Sequence, residues 1–90
     1  MTRPVMLVTG GSRGIGAATC RLAAAAGYDV AVNYASNRDA ADAVVKACQD
    51  AGASAIAVQA LVESEVDVIA MFDEVVNELG PIVCLVNNAG

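Results

Sequence analysis

Histidine and tryptophan are absent from the chain, and only three of its 90 residues are aromatic. Histidine is the side chain that titrates near neutral pH and the commonest metal ligand, so its absence excludes histidine-based proton transfer and most zinc sites. Basic residues are also scarce, because four arginines and one lysine face ten acidic residues and leave a formal net charge of −5. Proteins that bind nucleic acid carry clustered basic side chains, and we therefore expect no nucleic-acid partner.

Long hydrophobic runs are missing as well. None approaches the roughly 20 residues of a membrane-spanning helix, so we expect no membrane partner. The three cysteines, Cys20, Cys48 and Cys84, are an odd number and show no C-x-x-C spacing. Each falls on an apolar face of a predicted element, which favours buried free thiols in a protein of the reducing cytoplasm. We assign these thiols no catalytic or metal-binding role, because no histidine can partner them.

What the sequence does contain is a large apolar fraction, 57%, arranged in alternating strand-like and helix-like segments. This alternation predicts an α/β fold of the Rossmann type, a doubly wound parallel sheet with strand order 3-2-1-4 and right-handed crossovers. The predicted strands cover 5–9, 29–34, 54–61 and 82–86, and the predicted helices cover about 15–26, 37–51 and 65–79.

Helix starts and helix faces can also be predicted. Ser36 or Asn37 is expected to cap the second helix, and Ser64 the third, because their side chains can accept a hydrogen bond from an N–H in the first turn. The spacing of apolar residues then predicts which side of the third helix is buried. That predicted stripe consists of Val66, Ile69, Phe72, Val76 and Leu79.

Three glycines, Gly10, Gly14 and Gly16, follow the first predicted strand in the pattern G-x-x-x-G-x-G. Glycines here let the backbone turn tightly and approach a pyrophosphate, while the new helix presents unpaired N–H groups to it. Arg13 adds a cation within the turn. The pattern differs from the common G-x-G-x-x-G fingerprint, and it lacks the Lys-Ser or Lys-Thr of a P-loop. A turn that needs glycine only for chain geometry is the alternative.

The predicted topology connects this turn to a second polar segment. In a doubly wound sheet, ligands bind beyond the carboxyl ends of the first and fourth strands, where the winding reverses. The glycine turn follows the first strand, and residues 87–90, Asn-Asn-Ala-Gly, follow the fourth. The topology therefore places both segments at one crevice, which favours nucleotide binding over a purely geometric turn.

With Thr9 and the glycine pattern after the first strand, and Asn-Asn-Ala-Gly after the fourth, the chain resembles the short-chain dehydrogenase/reductase family over all 90 residues. Residues 32–36 at the end of the second strand are similar to members close to 3-oxoacyl-carrier-protein reductase and glucose dehydrogenase. The resemblance implies hydride transfer between NAD(P) and an alcohol or ketone, and it implies that Asn87 ties the fourth strand to its neighbours. It assigns contacts with the pyrophosphate, the ribose and the nicotinamide side to Gly10, Ser12, Arg13, Gly14, Ile15, Gly16, Asn88, Ala89 and Gly90.

The end of the second strand predicts the choice of coenzyme. An acidic residue there would bind the ribose 2′-OH of NAD and repel the 2′-phosphate of NADP, but Tyr34 occupies that family position. A 2′-phosphate would instead meet Arg13, Ser36 and Asn37. For Arg38 we favour a solvated surface charge over a phosphate contact. We therefore predict a preference for NADP(H) over NAD(H).

One position departs from the family. After the third strand the family usually carries Asp-Val, whose carboxylate faces the adenine amino group, whereas this chain carries Leu61-Val62. Val62 can still offer its backbone to adenine, but the Leu61 side chain cannot accept a hydrogen bond. The loss predicts weaker coenzyme binding or an altered adenine pocket, at a cost of about 1 kcal/mol.

The family's reacting groups have no counterpart in these residues. Relatives use a Tyr-x-x-x-Lys motif with a nearby serine, whereas Tyr28 is followed four positions later by Val32, and the only lysine is Lys46. We therefore expect residues 1–90 to be the amino-terminal, coenzyme-binding portion of a single Rossmann domain, inactive alone. Relatives commonly form dimers or tetramers, which implies a homo-oligomer for the complete protein.

Two alternatives remain open at this stage. One is a non-catalytic dinucleotide-binding module, or an inactive truncated fragment. The other is a methyltransferase-like nucleotide fold, which Tyr34 disfavours because such folds need an acidic residue at that position.

Overall fold

The computed structural model describes residues 3–88, which form a parallel sheet of four strands with three helices in the connections. The strand order is β3-β2-β1-β4, and all pairs are parallel. This confirms the predicted fold class and strand order. The elements in chain order are β1 (Val5–Thr9), α1 (Gly14–Ala25), β2 (Asp29–Tyr34), α2 (Arg38–Asp50), β3 (Ala55–Gln59), α3 (Glu65–Leu79) and β4 (Ile82–Asn87).

Helices cover both faces of the sheet, so the core is divided in two. On one face, α1 and α2 pack on the sheet through small and medium side chains, including Ala17, Cys20 and Val44. On the other face, α3 packs through Met71 and Val75. Every residue of β1 is buried, as expected for a central parallel strand covered on both sides.

Both predicted helix caps are confirmed. The Asn37 Oδ1 atom accepts the N–H of Ala40 at 3.0 Å, which caps α2. The Ser64 Oγ atom accepts the N–H of Asp67 at 3.3 Å, which caps α3. These bonds satisfy donors that the first turn of a helix otherwise leaves free. No helix within residues 3–88 is long and apolar enough to cross a membrane.

The predicted buried face of α3 was wrong for three of its five residues. Val66, Ile69 and Val76 are 76%, 55% and 45% exposed, whereas the buried side chains are Met71 and Val75. Phe72 and Leu79 are partly buried against the same cluster, as predicted. The helix carries two apolar stripes, and helical spacing alone does not say which one faces the sheet. The choice depends on contact with sheet residues such as Val5 and Leu7, which are distant in sequence.

Strand bounds differ from the prediction at β3 and β4. β3 ends at Gln59 rather than at Leu61, because the Leu61 N–H is bound by the Asp67 carboxylate at 3.0 Å instead of by a neighbouring strand. β4 continues to Asn87, which pairs with Thr9. Cys84 is only half-buried, contrary to the prediction, since β4 lies at the edge of the sheet; Cys20 and Cys48 are buried as predicted, and all three thiols are free.

Candidate functional site

The turn between β1 and α1 requires glycine for two separate reasons. Gly10 and Gly14 have φ angles of 63° and 61°, in the left-handed region that favours glycine. At Gly16 the constraint is space, because an added Cβ would lie 2.1 Å from the Gly10 carbonyl oxygen and 2.7 Å from Asn88 Nδ2. The turn and the start of α1 are therefore in direct backbone contact.

Helix α1 begins without the side-chain cap and the acidic first-turn residue that the other two helices have. Its N-cap residue, Arg13, makes no side-chain cap hydrogen bond, and its first turn contains no acidic residue. By contrast, α2 and α3 have a side-chain cap and at least one acidic residue in the first turn. The start of α1 thus keeps free donors and an uncompensated positive dipole end, which suits an anion.

The end of β4 is joined to the glycine turn, as the topology predicts. The Asn88 backbone N–H donates to Thr9 Oγ1 at 3.0 Å, and Asn88 Nδ2 donates to the Gly10 carbonyl at 3.2 Å. Thr9 Oγ1 also lies 3.2 Å from Asn87 Oδ1, so both asparagines contact the end of β1. Ala89 and Gly90, the other two residues of the predicted segment, lie outside the described residues.

Two clefts open on either side of the turn and share Gly10 and Ala35. The first, of about 300 Å³, is mostly apolar and lies over the end of β3. The second, of about 140 Å³, lies over the end of β2 and is more polar. The first is lined by Gly10, Asn33, Ala35, Ala60, Leu61, Val62 and Glu63. The second is lined by Gly10, Ser12, Arg13, Tyr34, Ala35, Ser36 and Asn37.

The charge that the described residues bring to the second cleft is positive. Arg13 is exposed and has no ion-pair partner among residues 3–88, and none of the residues that line this cleft is acidic. Arg38 does not line it; its Nε lies 3.5 Å from Asp42 in an exposed i,i+4 pair, which fits the predicted surface role. The apolar first cleft suits a flat base, and the polar, cationic second cleft beside it suits a phosphate.

A larger cavity, of about 400 Å³, lies at the opposite end of the sheet, between Arg3 and Leu79. Its lining is apolar apart from Arg3, whose guanidinium is held by Asp29 at 3.1 Å and by the carbonyls of Ala24 and Tyr28, each at 2.8 Å. That cation is already engaged within the fold. We therefore place the candidate site at the carboxyl ends of the strands, where parallel α/β sheets bind ligands.

The structure brings most of the predicted site residues together. Ser12, Arg13, Tyr34, Ser36 and Asn37 line the second cleft, and Leu61 and Val62 line the first. Ile15 is exposed in the first turn of α1 and lines neither cleft.

Sequence reasoning missed four lining residues, Asn33, Ala35, Ala60 and Glu63. The available signal for Asn33 was an amide side chain within an otherwise apolar strand. Glu63 offered no comparable signal, because an acidic residue in a polar loop is ordinary.

The thiol beneath the turn is not a nucleophile at neutral pH. Cys20 Sγ lies 3.8 Å from the Gly11 carbonyl oxygen, and burial raises the pKa of this thiol to about 12. Burial also raises the pKa of the Cys48 thiol. Both groups therefore stay neutral and pack as small apolar side chains, and the turn's chemistry consists of backbone donors and Arg13.

Comparison with known proteins identifies the family. The family model for short chain dehydrogenase matches residues 4–90. The 3-oxoacyl-[acyl-carrier-protein] reductase FabG of Staphylococcus aureus is 48% identical over 84 residues, which cover 93% of this chain and 34% of the relative.

Solved structures agree with this match. A short-chain dehydrogenase/reductase from Burkholderia xenovorans superposes with a TM-score of 0.95 at 38% identity, covering all of this chain and 37% of the other. A dehydrogenase from Burkholderia cenocepacia with bound NADP gives a TM-score of 0.90 at 29% identity, covering 96% of this chain and 34% of the other.

The chain spans about a third of the length of these relatives. Over that third, the sequence, the strand order and the glycine turn all agree with one family. The chain belongs to the short-chain dehydrogenase family.

Proposed function

We propose that this chain holds the coenzyme of an oxidoreductase that transfers hydride between NADP(H) and a carbonyl or alcohol substrate. The observation that carries the proposal is the second cleft, where Arg13, Ser36 and Asn37 surround a space beside the glycine turn and no lining residue that the structure describes is acidic. A cation, a hydroxyl and an amide are the groups that recognise a phosphate monoester. Residues 1–90 form, in this proposal, the amino-terminal portion of a single dinucleotide-binding domain of a cytoplasmic, homo-oligomeric protein.

Each part of the coenzyme has a place in the proposed site. The pyrophosphate lies against the turn formed by Gly10, Gly14 and Gly16, where the start of α1 offers free N–H groups. The 2′-phosphate enters the second cleft, and the adenine enters the first, between Ala60 and Val62. From the family resemblance, we assign contacts with the ribose and the nicotinamide side to Asn88, Ala89 and Gly90, and a further contact from the turn to Ile15.

The adenine cleft supports binding mainly through shape. Leu61 lines it with an apolar side chain, so the adenine amino group loses an acceptor there, at a cost of about 1 kcal/mol if water can replace it. The nearby Asp67 carboxylate, which accepts the Leu61 N–H at 3.0 Å, does not line this cleft. Apolar contact with the base and backbone groups at Val62 supply the remaining affinity.

The relatives support the reaction class. One is a 3-oxoacyl-[acyl-carrier-protein] reductase by name, and one solved neighbour contains NADP. When bound, the nicotinamide supplies or accepts the hydride. The residues of this chain bind and orient the coenzyme, and we expect the group that transfers the proton to lie outside these 90 residues.

The test is the effect of Arg13→Ala on the two coenzymes in the full-length protein. Losing a charge-assisted contact worth about 1.5–3 kcal/mol should weaken NADPH binding about tenfold to a hundredfold and leave NADH binding within about threefold. Arg21→Ala is the matched control, because it removes an equal charge from an exposed position of α1 that lines neither cleft. Equal losses for NADPH and NADH would remove the assignment of a 2′-phosphate site.

A further inference from the structure

Asn33 is a polar side chain in the interior of the molecule. It occupies the second-last position of β2, is only 2% exposed, and follows four apolar or half-buried strand residues. Burying an amide costs free energy unless each of its donors and acceptors finds a partner. A valine at this position would continue the strand pattern, so the asparagine needs a specific reason.

The hydrogen bonds of Asn33 extend to two different segments. Its Oδ1 atom accepts the N–H of Gly10 at 3.1 Å, and its Nδ2 atom donates to the carbonyls of Val58 and Ala60 at 3.3 and 3.2 Å. Its backbone carbonyl also accepts the N–H of Gly11 at 2.9 Å. One residue therefore connects the glycine turn on one side with the end of β3 on the other.

These connections fall where regular strand pairing has ended. Gly10 has left the extended conformation of β1, with φ of 63°, and β3 ends at Gln59, one residue before Ala60. Each segment keeps one backbone hydrogen bond to β2, from the Gly11 N–H to the Asn33 carbonyl at 2.9 Å and from the Ala60 N–H to the Tyr34 carbonyl at 3.1 Å. Because β1 and β3 are not neighbours in the sheet, backbone pairing cannot join the two segments directly. An amide side chain can, because it combines an acceptor with two donors, whereas a carboxylate has only acceptors and an aliphatic side chain has neither.

The two connected segments are the two walls of the first cleft. Gly10 forms one side, and Ala60 and Leu61 form the other, with Asn33 at the base between them. We infer that Asn33 is a positioning residue for the coenzyme, which fixes the glycine turn relative to the adenine cleft through the Gly10 and Ala60 backbones. This inference rests on the proposed function, because it assumes that the turn and the cleft hold one ligand.

The first test uses the full-length protein and the variant Asn33→Leu, which keeps the number and branching of the side-chain heavy atoms and removes the hydrogen bonds. NADPH binding should weaken at least about tenfold, since the loss affects both walls of the cleft. Val75→Ala is the control for lost stability, because Val75 is fully buried and does not line the cleft. At matched loss of Tm, this control should change NADPH binding less than about twofold.

A second readout does not depend on coenzyme. In the ligand-free protein, amide hydrogen exchange in the segment 9–16 should accelerate at least about tenfold in Asn33→Leu, because Gly10 loses its acceptor. Exchange in α3 should be unchanged. A merely apolar-packing role for residue 33 predicts no such local change, since leucine provides an apolar side chain of the same branching.

The variant Asn33→Asp gives a third readout that still applies if Asn33→Leu does not fold. A protonated carboxyl can accept from Gly10 and donate to Ala60, whereas an ionised one turns a negative oxygen toward two carbonyls, so burial and these neighbours raise its pKa. The ratio of the variant's NADPH dissociation constant to the parent's should therefore rise between about pH 5 and about pH 8. The other ionisable side chains nearby are Glu63 in the same cleft and Arg13 and Tyr34 in the adjoining one. All three are present in both proteins, so the ratio compares the two side chains at position 33.

Two results would overturn the inference while leaving the proposed function intact. The first result is that the parent protein binds NADPH and the Asn33→Leu variant binds it with the same affinity. The other is a loss of affinity that Val75→Ala reproduces in proportion to its loss of Tm, with no local change in exchange. A parent that binds neither NADPH nor NADH would overturn the proposed function and the inference with it.

Discussion

Gly14 and Gly16 stand two positions apart in the same turn, yet a side chain would be costly at each for a different physical reason. At Gly14 nothing lies within 4 Å of an added Cβ, and the difficulty is the φ angle of 61°. At Gly16 the backbone conformation is ordinary for a helix, and the difficulty is the Gly10 carbonyl, 2.1 Å from the added atom. The glycine pattern in the sequence does not distinguish these causes.

Replacing each glycine by alanine should separate the two costs. Gly14→Ala should lower the free energy of unfolding by about 1–2 kcal/mol, the cost of a left-handed conformation for an L-residue. Gly16→Ala should cost about 3 kcal/mol or more, because the turn and Asn88 must move to make room. Denaturant unfolding of the full-length variants measures both, and a Gly16→Ala variant as stable as Gly14→Ala would contradict the close approach.

At the scale of single elements, the start of α2 combines a structural role and a proposed binding role in one residue. Asn37 caps the helix by accepting the Ala40 N–H, and it also lines the second cleft with Arg13. Capping needs only an acceptor, and phosphate binding needs a donor or at least no negative charge. The two roles can therefore be separated by substitution.

Two substitutions of Asn37 make that separation. Asn37→Asp keeps the cap and should change the unfolding free energy by less than about 0.5 kcal/mol, while the new charge weakens NADPH binding about tenfold or more. Asn37→Ala loses the cap and should cost about 1 kcal/mol in stability. Thermal unfolding and coenzyme titration give the two quantities. Unchanged NADPH affinity in Asn37→Asp would leave Asn37 with its capping role alone.

The elements also show what sequence patterns can and cannot predict. The strand order and both caps followed from the alternation of elements and from local side-chain chemistry. The buried face of α3 did not, because the helix has two apolar stripes and only contact with the sheet decides which one is buried. Val75 is buried, whereas its neighbour Val76 is 45% exposed. Asn33 was not predicted as a site residue either, since its partners lie 23–27 positions away in sequence.

At the scale of the whole molecule, β4 leaves one side of the sheet open. It pairs with β1 only, in the described part of the chain, and Val83 and Leu85 are exposed along it. The exposed stripe of α3, formed by Val66, Ile69 and Val76, adds a second apolar surface. An exposed edge strand with apolar side chains is a template for pairing with another chain.

We therefore expect residues 1–90, prepared alone, to self-associate. Sedimentation velocity should show an average mass that increases with protein concentration. The double variant Val83→Lys/Leu85→Lys should reduce this increase, because it places charges on the edge strand. Gln49→Lys is the control, because it adds a charge at an exposed position of α2 away from that edge. A parent chain that stays a monodisperse monomer at all concentrations would contradict this account of the edge.

The central claim is that the clefts around the glycine turn hold NADP(H) in preference to NAD(H). The most direct measurement is the titration of the full-length protein with NADPH and with NADH under the same salt and pH conditions. The cleft formed by Arg13, Ser36 and Asn37 predicts that NADPH binds at least about tenfold more tightly, which corresponds to one charge-assisted phosphate contact. Equal binding of the two coenzymes, or tighter binding of NADH, would contradict the claim.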